Sequence, residues 1–244
     1  MTIRGAIFDL GSTLMCFDGE WEDVTSRGAE DMVSFFARRR VKLDGATFAE
    51  TFLAERQAGR EVAYRTDREV TCTESLRTAL EKVEAPPEVY PLMAEAVRVY
   101  FGPEEAAWKA CPDARATLKA LAQYGHRLGL LSNATDDLFV QRLVNRLDLR
   151  PWLSPTFSSA GLGLRKPKRE PFDLILSRWN LPPGSVVVVG DTLNADILGA
   201  HNSGMRGILI TADEAPRNDE FRETIVPDGT IAALGELPGL IETW

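Results

Sequence analysis

The chain has 244 residues, which at roughly 100–200 residues per domain makes one large domain or two small ones, long enough to bury a core without staples. With 28 Lys and Arg against 36 Asp and Glu the net charge is −8, which argues against a general nucleic-acid binder, since that would carry a basic face. Hydrophobic residues at 44% and charged residues at 26% are ordinary for a globular chain and exclude wholesale disorder.

In chain order, Ile3–Asp9 opens as a short apolar run ending at a carboxylate. The stretch 15–108 then has no β-branched run and shows helical spacings instead: Val24, Met32, Phe35 and Phe36; Phe48, Phe52 and Arg56; Leu76, Leu80 and Val83; Leu92, Ala96, Val97 and Tyr100. Breaks at Lys42–Gly45 and Ala85–Pro87 separate them, so this segment predicts a small helical bundle, entered and left through linkers near Met15–Gly19 and Gly102–Pro112. Beyond it, helical patterns at Ala114–Gln123, Asp136–Leu147, Pro171–Trp179 and Asn194–Ser203 alternate with apolar runs at Arg127–Ser132, Val186–Asp191 and Gly207–Thr211. Short continuous β-branched runs suit strands buried on both faces of a parallel sheet, and their alternation with helices predicts a doubly wound α/β core. The expected organisation is a core domain of residues 1–14 and 109–244 with residues 15–108 inserted as a helical domain.

No apolar stretch approaches the roughly 18–20 residues that span a bilayer, and no basic segment followed by a long apolar one opens the chain. We therefore expect no membrane partner and a soluble, cytoplasmic protein, monomer or homodimer. Cys16, Cys72 and Cys111 lack metal-type spacing and read as reduced thiols that pack as small hydrophobes.

Open α/β sheets bind ligands at the carboxyl ends of their strands. Three strand runs end on a reactive polar group: Asp9, Ser132 and Asp191. One such residue alone is a turn former; three converging on one sheet edge suggest a site. The Gly-rich segment Gly161–Phe172 delivers Lys166, with Pro167 stiffening the chain behind it. Elsewhere the bland reading is preferred. His126 reads as an exposed turn residue and His201 as a packing residue, and Arg56, Arg60 and Arg65 read as a solvated helix face rather than an anion site.

These motifs resemble the haloacid dehalogenase superfamily. Its first motif begins FDxDGTL, here Phe8-Asp9-Leu10-Gly11-Ser12-Thr13-Leu14. The second ends a strand in Ser or Thr, here Leu131-Ser132-Asn133; the third is a KPxxxxF loop, here Lys166-Pro167 with Phe172. The fourth, GDxxxxDxxGAxxAGM, is matched by Gly190-Asp191, Asp196, Gly199-Ala200 and Gly204-Met205. The resemblance implies a Rossmann-like core with a helical cap inserted after the first motif, and a Mg²⁺-dependent phosphatase acting on a small phosphorylated metabolite. Asp9 would attack phosphorus to give an aspartyl-phosphate. Asp9, Asp191 and the Gly11 carbonyl would hold Mg²⁺. Ser132, the Asn133 N–H and Lys166 would bind the phosphoryl oxygens, with Asp196 supporting Lys166.

One departure stands out. The family's phosphatases carry a second Asp two residues after the nucleophile, as general acid and base; here that position is Gly11. Losing a general acid costs about 10²–10⁴ in rate, less for leaving groups that need little protonation. A 2-haloacid dehalogenase, which lacks that Asp, leaves Asp191 and Asp196 unexplained. Phosphonate cleavage needs a cap lysine, and Lys42 and Lys82 have no favourable context. A mutase needs the missing Asp even more. A HAD-fold binding module that has lost turnover is the alternative from another class.

Overall fold

The computed structural model describes Thr2–Trp244. The chain forms two compact units, one made of the residues up to Phe17 with Lys109–Trp244, the other of Asp18–Trp108. The sequence places the boundary at residue 15; the structure keeps Met15–Phe17 in the first unit.

Six parallel strands form the sheet of the first unit. They are β1 (Gly5–Phe8), β4 (Arg127–Ser132), β5 (Thr156–Ser158), β6 (Val186–Gly190), β7 (Arg206–Ile210) and β8 (Gly229–Ile231), in the order β5-β4-β1-β6-β7-β8. Every residue of β1 and β6 is buried, which is why their sequences are continuous apolar runs rather than alternating ones. The edge strands β5 and β8 were not expected: three residues each are too short to stand out as runs. Around the sheet lie α6 (Ala114–Gln123), α7 (Asp137–Arg146), α8 (Ser159–Leu162), α9 (Glu170–Trp179), α10 (Leu198–Asn202) and α11 (Leu237–Glu242). Phe172 and Ile175 of α9 pack with Ile7, Leu131 and Val188 in one core layer.

Where linkers were expected, the structure adds order. Met15–Phe17 (β2) pairs with Trp108–Ala110 (β3) as a two-stranded ribbon, and Gly102–Ala107 is a short helix, α5. Cys16 and Cys111, expected as separate reduced thiols, form a disulfide instead, because ribbon pairing brings their Cα atoms to 5.4 Å; Cys72 alone stays free and buried. The bridge closes a sequence separation of 95 residues, and disulfides over long loops typically stabilise by about 2–4 kcal/mol. Dithiothreitol, or Cys16→Ser, is expected to lower the urea midpoint accordingly. An unchanged midpoint would show that the ribbon alone holds this segment.

The second unit is helical: α1 (Trp21–Arg38), α2 (Gly45–Thr66), α3 (Cys72–Lys82) and α4 (Met93–Tyr100), with α5 at its end. Asp44 caps α2 through the Ala46 and Thr47 N–H groups, and Thr71 with Glu74 forms a capping box on α3. Phe36, Phe48, Phe52 and Tyr100 contact one another in series. Arg60 and Arg65 are exposed as expected, whereas Arg56 is buried. It falls on the inward stripe of α2 with Phe48, Phe52, Gly59 and Ala63, so the solvated-face reading fails for this one arginine.

Candidate active site

Strand register builds the site. Phe8 pairs with Leu130 of β4 and Val189 of β6, so Asp9 stands level with Leu131 and Gly190. Ser132 and Asp191 follow one residue later on either side. The Asp9 N–H continues the ladder, donating to the Val189 carbonyl at 2.9 Å. A hydroxyl and two carboxylates thus reach one sheet edge, around the strand where the order reverses.

Lys166 arrives from the loop between α8 and α9. Its Nζ donates to Asp9 Oδ1 at 2.5 Å and to Asp196 Oδ1 at 2.6 Å, and the side chain is 2% exposed. Three contacts fix that loop. The Asn133 amide brackets the Lys166 backbone, with Nδ2 donating to its carbonyl at 3.0 Å and Oδ1 accepting from its N–H at 2.9 Å. Asn202 Nδ2 donates to the Pro167 carbonyl at 3.1 Å. Phe172 seats against Gly199, where a Cβ would lie 2.6 Å from its ring; this contact ties the lysine loop to the segment bearing Asp196. Gly190 has a similar reason to be glycine: a Cβ there would meet the Asp196 carboxyl at 2.2 Å, forcing it away from Lys166.

Asn218, which the sequence reading did not single out, holds the loop after Asp191. Its Nδ2 donates to the Asp191 carbonyl at 2.7 Å and its Oδ1 accepts from the Leu193 N–H at 2.8 Å. It lies 27 residues beyond Asp191 and outside every motif, so nothing in the sequence marked it. His201 is exposed and pairs with Asp228 at 2.9 Å instead of packing inward, and His126 is half-buried rather than exposed. In the loop after Asp9, Ser12 takes a left-handed conformation and donates to Asp213 Oδ2 at 2.7 Å, while the buried Thr13 hydroxyl has no hydrogen-bond partner in the protein.

The charges are unbalanced. Asp9, Asp191 and Asp196 share the site with one lysine, a formal excess of two negative charges. Burial alone would lower Lys166, but Asp196 and Asp9 outweigh it and hold the ammonium above its ordinary value, so Lys166 is a fixed cation and a poor proton donor. Burial raises Asp196 despite Lys166. Asp191 is pushed up to about 8, by burial first and then by the Asp9 and Asp196 carboxylates.

Residues 3–204 match the family of haloacid dehalogenase-like hydrolases. The chain belongs to this family. The chain is 33% identical over 129 residues to a glyceraldehyde 3-phosphate phosphatase of Methanothermobacter thermautotrophicus, a match covering 52% of this chain and 57% of that protein. It is 30% identical over 161 residues to a phosphoserine phosphatase of Thermus thermophilus, covering 66% of this chain and 61% of that one. The matched region therefore spans less than two thirds of either relative. A 2-haloacid dehalogenase from Pseudomonas syringae shares the fold over the full length of both chains, with a TM-score of 0.71 at 24% identity. No helix of the described residues is long and apolar enough to cross a membrane.

Proposed function

We propose that the hydrolase is a Mg²⁺-dependent phosphatase of small phosphorylated metabolites that works through an aspartyl-phosphate on Asp9. The observation that carries this reading is the Lys166 ammonium bridging Asp9 and Asp196 beside Asp191, where the carboxylates outnumber it. Two similar proteins named as phosphatases support it. In the same reading the helical unit serves as the cap, the compartment is the cytoplasm, and the protein is a monomer or homodimer. The disulfide is the observation that bears against a strongly reducing compartment.

The donor set fits the metal. Among the described residues no three His, Cys, Asp or Glu side chains are grouped to hold one, so the ligands would be the Asp9 and Asp191 carboxylates and the Gly11 carbonyl, with water and substrate completing the set. Hard oxygen donors with retained water are the habit of Mg²⁺, and a dication cancels the excess charge. When bound, the ion would polarise the phosphoryl group and offset the charge of two approaching anions. Asp9 is the nucleophile; a carboxylate needs no base to activate it. Ser132 and the backbone N–H groups after Asp9 and at Asn133 receive the phosphoryl oxygens, and Lys166 supplies its fixed positive charge. The proton for the leaving group has no donor at Gly11.

The test is hydrolysis of p-nitrophenyl phosphate, whose leaving group tolerates a missing acid. Turnover with Mg²⁺ that stops in EDTA is expected; full activity in EDTA would reject the metal, and chloride release from 2-chloropropionate would move the assignment to a dehalogenase. Silence on all phosphates would leave a binding module.

The pH dependence of the metal-free protein carries a further sign. In the folded protein burial, with the Asp9 and Asp196 carboxylates beside it, pushes Asp191 up to about 8 from its ordinary 3.8. Between those values the folded state holds the extra proton, so this group's contribution falls as pH rises through the window. In EDTA the melting midpoint should therefore fall between pH 5 and pH 8.5. Mg²⁺ should restore it most at the alkaline end, by roughly 5–10 °C at a hundredfold excess over Kd. Equal Mg²⁺ effects at both ends would remove Asp191 from the ligand set.

A further inference from the structure

The turn that carries Asp191 and Asp196 is gripped by a segment that lies outside the motifs. β6 ends at Gly190, and a π-helical turn follows at Leu193–Ile197. The first N–H groups of a helical turn have no partner within it. Leu193 stands at that position and is 1% exposed, so its N–H needs an acceptor from the protein; Asn218 Oδ1 provides it at 2.8 Å. On the other side of Thr192, Asn218 Nδ2 donates to the Asp191 carbonyl at 2.7 Å. A side-chain amide offers the same donor and acceptor as a peptide group. One asparagine therefore does for residues 191–193 what a neighbouring strand does for a ladder.

The amide is itself anchored. Asn218 is 1% exposed, and its backbone N–H donates to the Ala215 carbonyl at 2.9 Å. Its Nδ2 also reaches Glu214 Oε2 at 3.2 Å, and the same oxygen accepts from Arg222 Nη2 at 2.7 Å. Leu193 and Ile197 pack with Leu209 and Ile225, and Phe221 lies against them. The Ala215 N–H touches the Asp191 carbonyl as well, but at 3.5 Å, so the shorter hold runs through Asn218. Against this hold works a repulsion: the Asp9 and Asp196 carboxylates both act on Asp191. A loop free to relax would move Asp191 away from them, and each ion bound would have to draw it back. Ligands held in place before binding take a metal more tightly, and the outer partners that hold them are worth about 10–100-fold in affinity.

We infer that Asn218 is a positioning residue for the metal site, fixing the Asp191 backbone so that its carboxylate stays gathered with Asp9, and that it thereby sets the Mg²⁺ affinity. The inference rests on the Mg²⁺ reading above, and the experiment separates the two.

The experiment is calorimetric titration of the intact protein with Mg²⁺, comparing wild type with Asn218→Leu, which keeps the volume of the side chain and removes both hydrogen bonds. The variant is expected to bind Mg²⁺ about 10–100-fold more weakly, and its deficit in p-nitrophenyl phosphate turnover should shrink as Mg²⁺ is raised. A lower melting midpoint in EDTA with an unchanged Mg²⁺ affinity would reduce Asn218 to a structural residue and overturn the inference, as would a turnover deficit that Mg²⁺ concentration does not alter. Amide exchange on the wild type needs no variant and covers the case in which Asn218→Leu does not fold. If the Asn218 contact favours the ion, the ion favours the contact by the same factor. Saturating Mg²⁺ should then slow exchange of the Leu193 N–H at least about tenfold more than that of an α3 amide; equal slowing overturns the inference. Absence of Mg²⁺ binding by the wild type would overturn the metal reading and this inference with it, whereas wild-type binding that Asn218→Leu leaves untouched overturns this inference alone.

Discussion

Asp9→Asn should lose phosphate-ester turnover by roughly 10⁴–10⁶-fold, the scale of removing a nucleophile, while melting at a higher temperature than the wild type in metal-free buffer at pH 8. The two effects have one cause. Asn retains an oxygen that can accept from Lys166, whose Nζ now lies 2.5 Å from Asp9 Oδ1, so the loop keeps its anchor. The amide cannot attack phosphorus. It also carries no charge, and the Asp9 carboxylate is one of the groups that push Asp191 up to about 8; without it, Asp191 ionises at less cost and the folded state gains. Such a trade of stability against activity is usual where a site concentrates like charges. Initial rates on p-nitrophenyl phosphate and a melting curve in EDTA decide it. Activity within tenfold of wild type would remove Asp9 from the chemistry. A lower melting midpoint at full folding would mean the site is not strained by its carboxylates.

The parts of this site that were legible are those whose chemistry sits at a strand end. A buried parallel strand must be a continuous apolar run, so the residue that ends it stands out; Asp9, Ser132 and Asp191 were visible for that reason, and β4 matches its expected span residue for residue. Lys166 was visible through the glycines and proline around it. The partners that hold these groups were harder to see, because an asparagine amide has no periodicity. Asn133 was expected to offer its N–H, and its side chain proved to bracket Lys166. Asn218 reaches Asp191 from 27 residues away, across a turn that no pattern predicts. The helical segment shows the same limit. Its spacing predicted helices at the right places, but the inward stripe of α2 includes an arginine, and a polarity rule assigns arginine outward. The Cys16–Cys111 bridge depends on two strands of three residues each, below the length at which alternation can be read.

Gly11→Asp should raise turnover on alkyl phosphates by up to about 10²–10⁴, the range of a general acid, and change p-nitrophenyl phosphate little. An alkoxide leaves badly without a proton, whereas p-nitrophenolate hardly needs one, so the ratio of the two rates isolates proton donation from every other effect. None of the groups already in the site fills the role well. Lys166 is held above its ordinary value by Asp196 and Asp9 and gives up its proton reluctantly, and Asp196 is committed to Lys166 at 2.6 Å. Position 11 is half-buried and its backbone bridges to Met15, so the new side chain would be carried by a loop already tied at both ends. The mutation adds a fourth carboxylate to a site where carboxylates outnumber cations, so its benefit should need more Mg²⁺ and should be accompanied by a lower melting midpoint in EDTA. A rise on alkyl esters alone identifies the missing acid as the reason for slow turnover. An equal rise on both substrates would point to metal binding instead, and no change on either would mean that water or the substrate already supplies the proton.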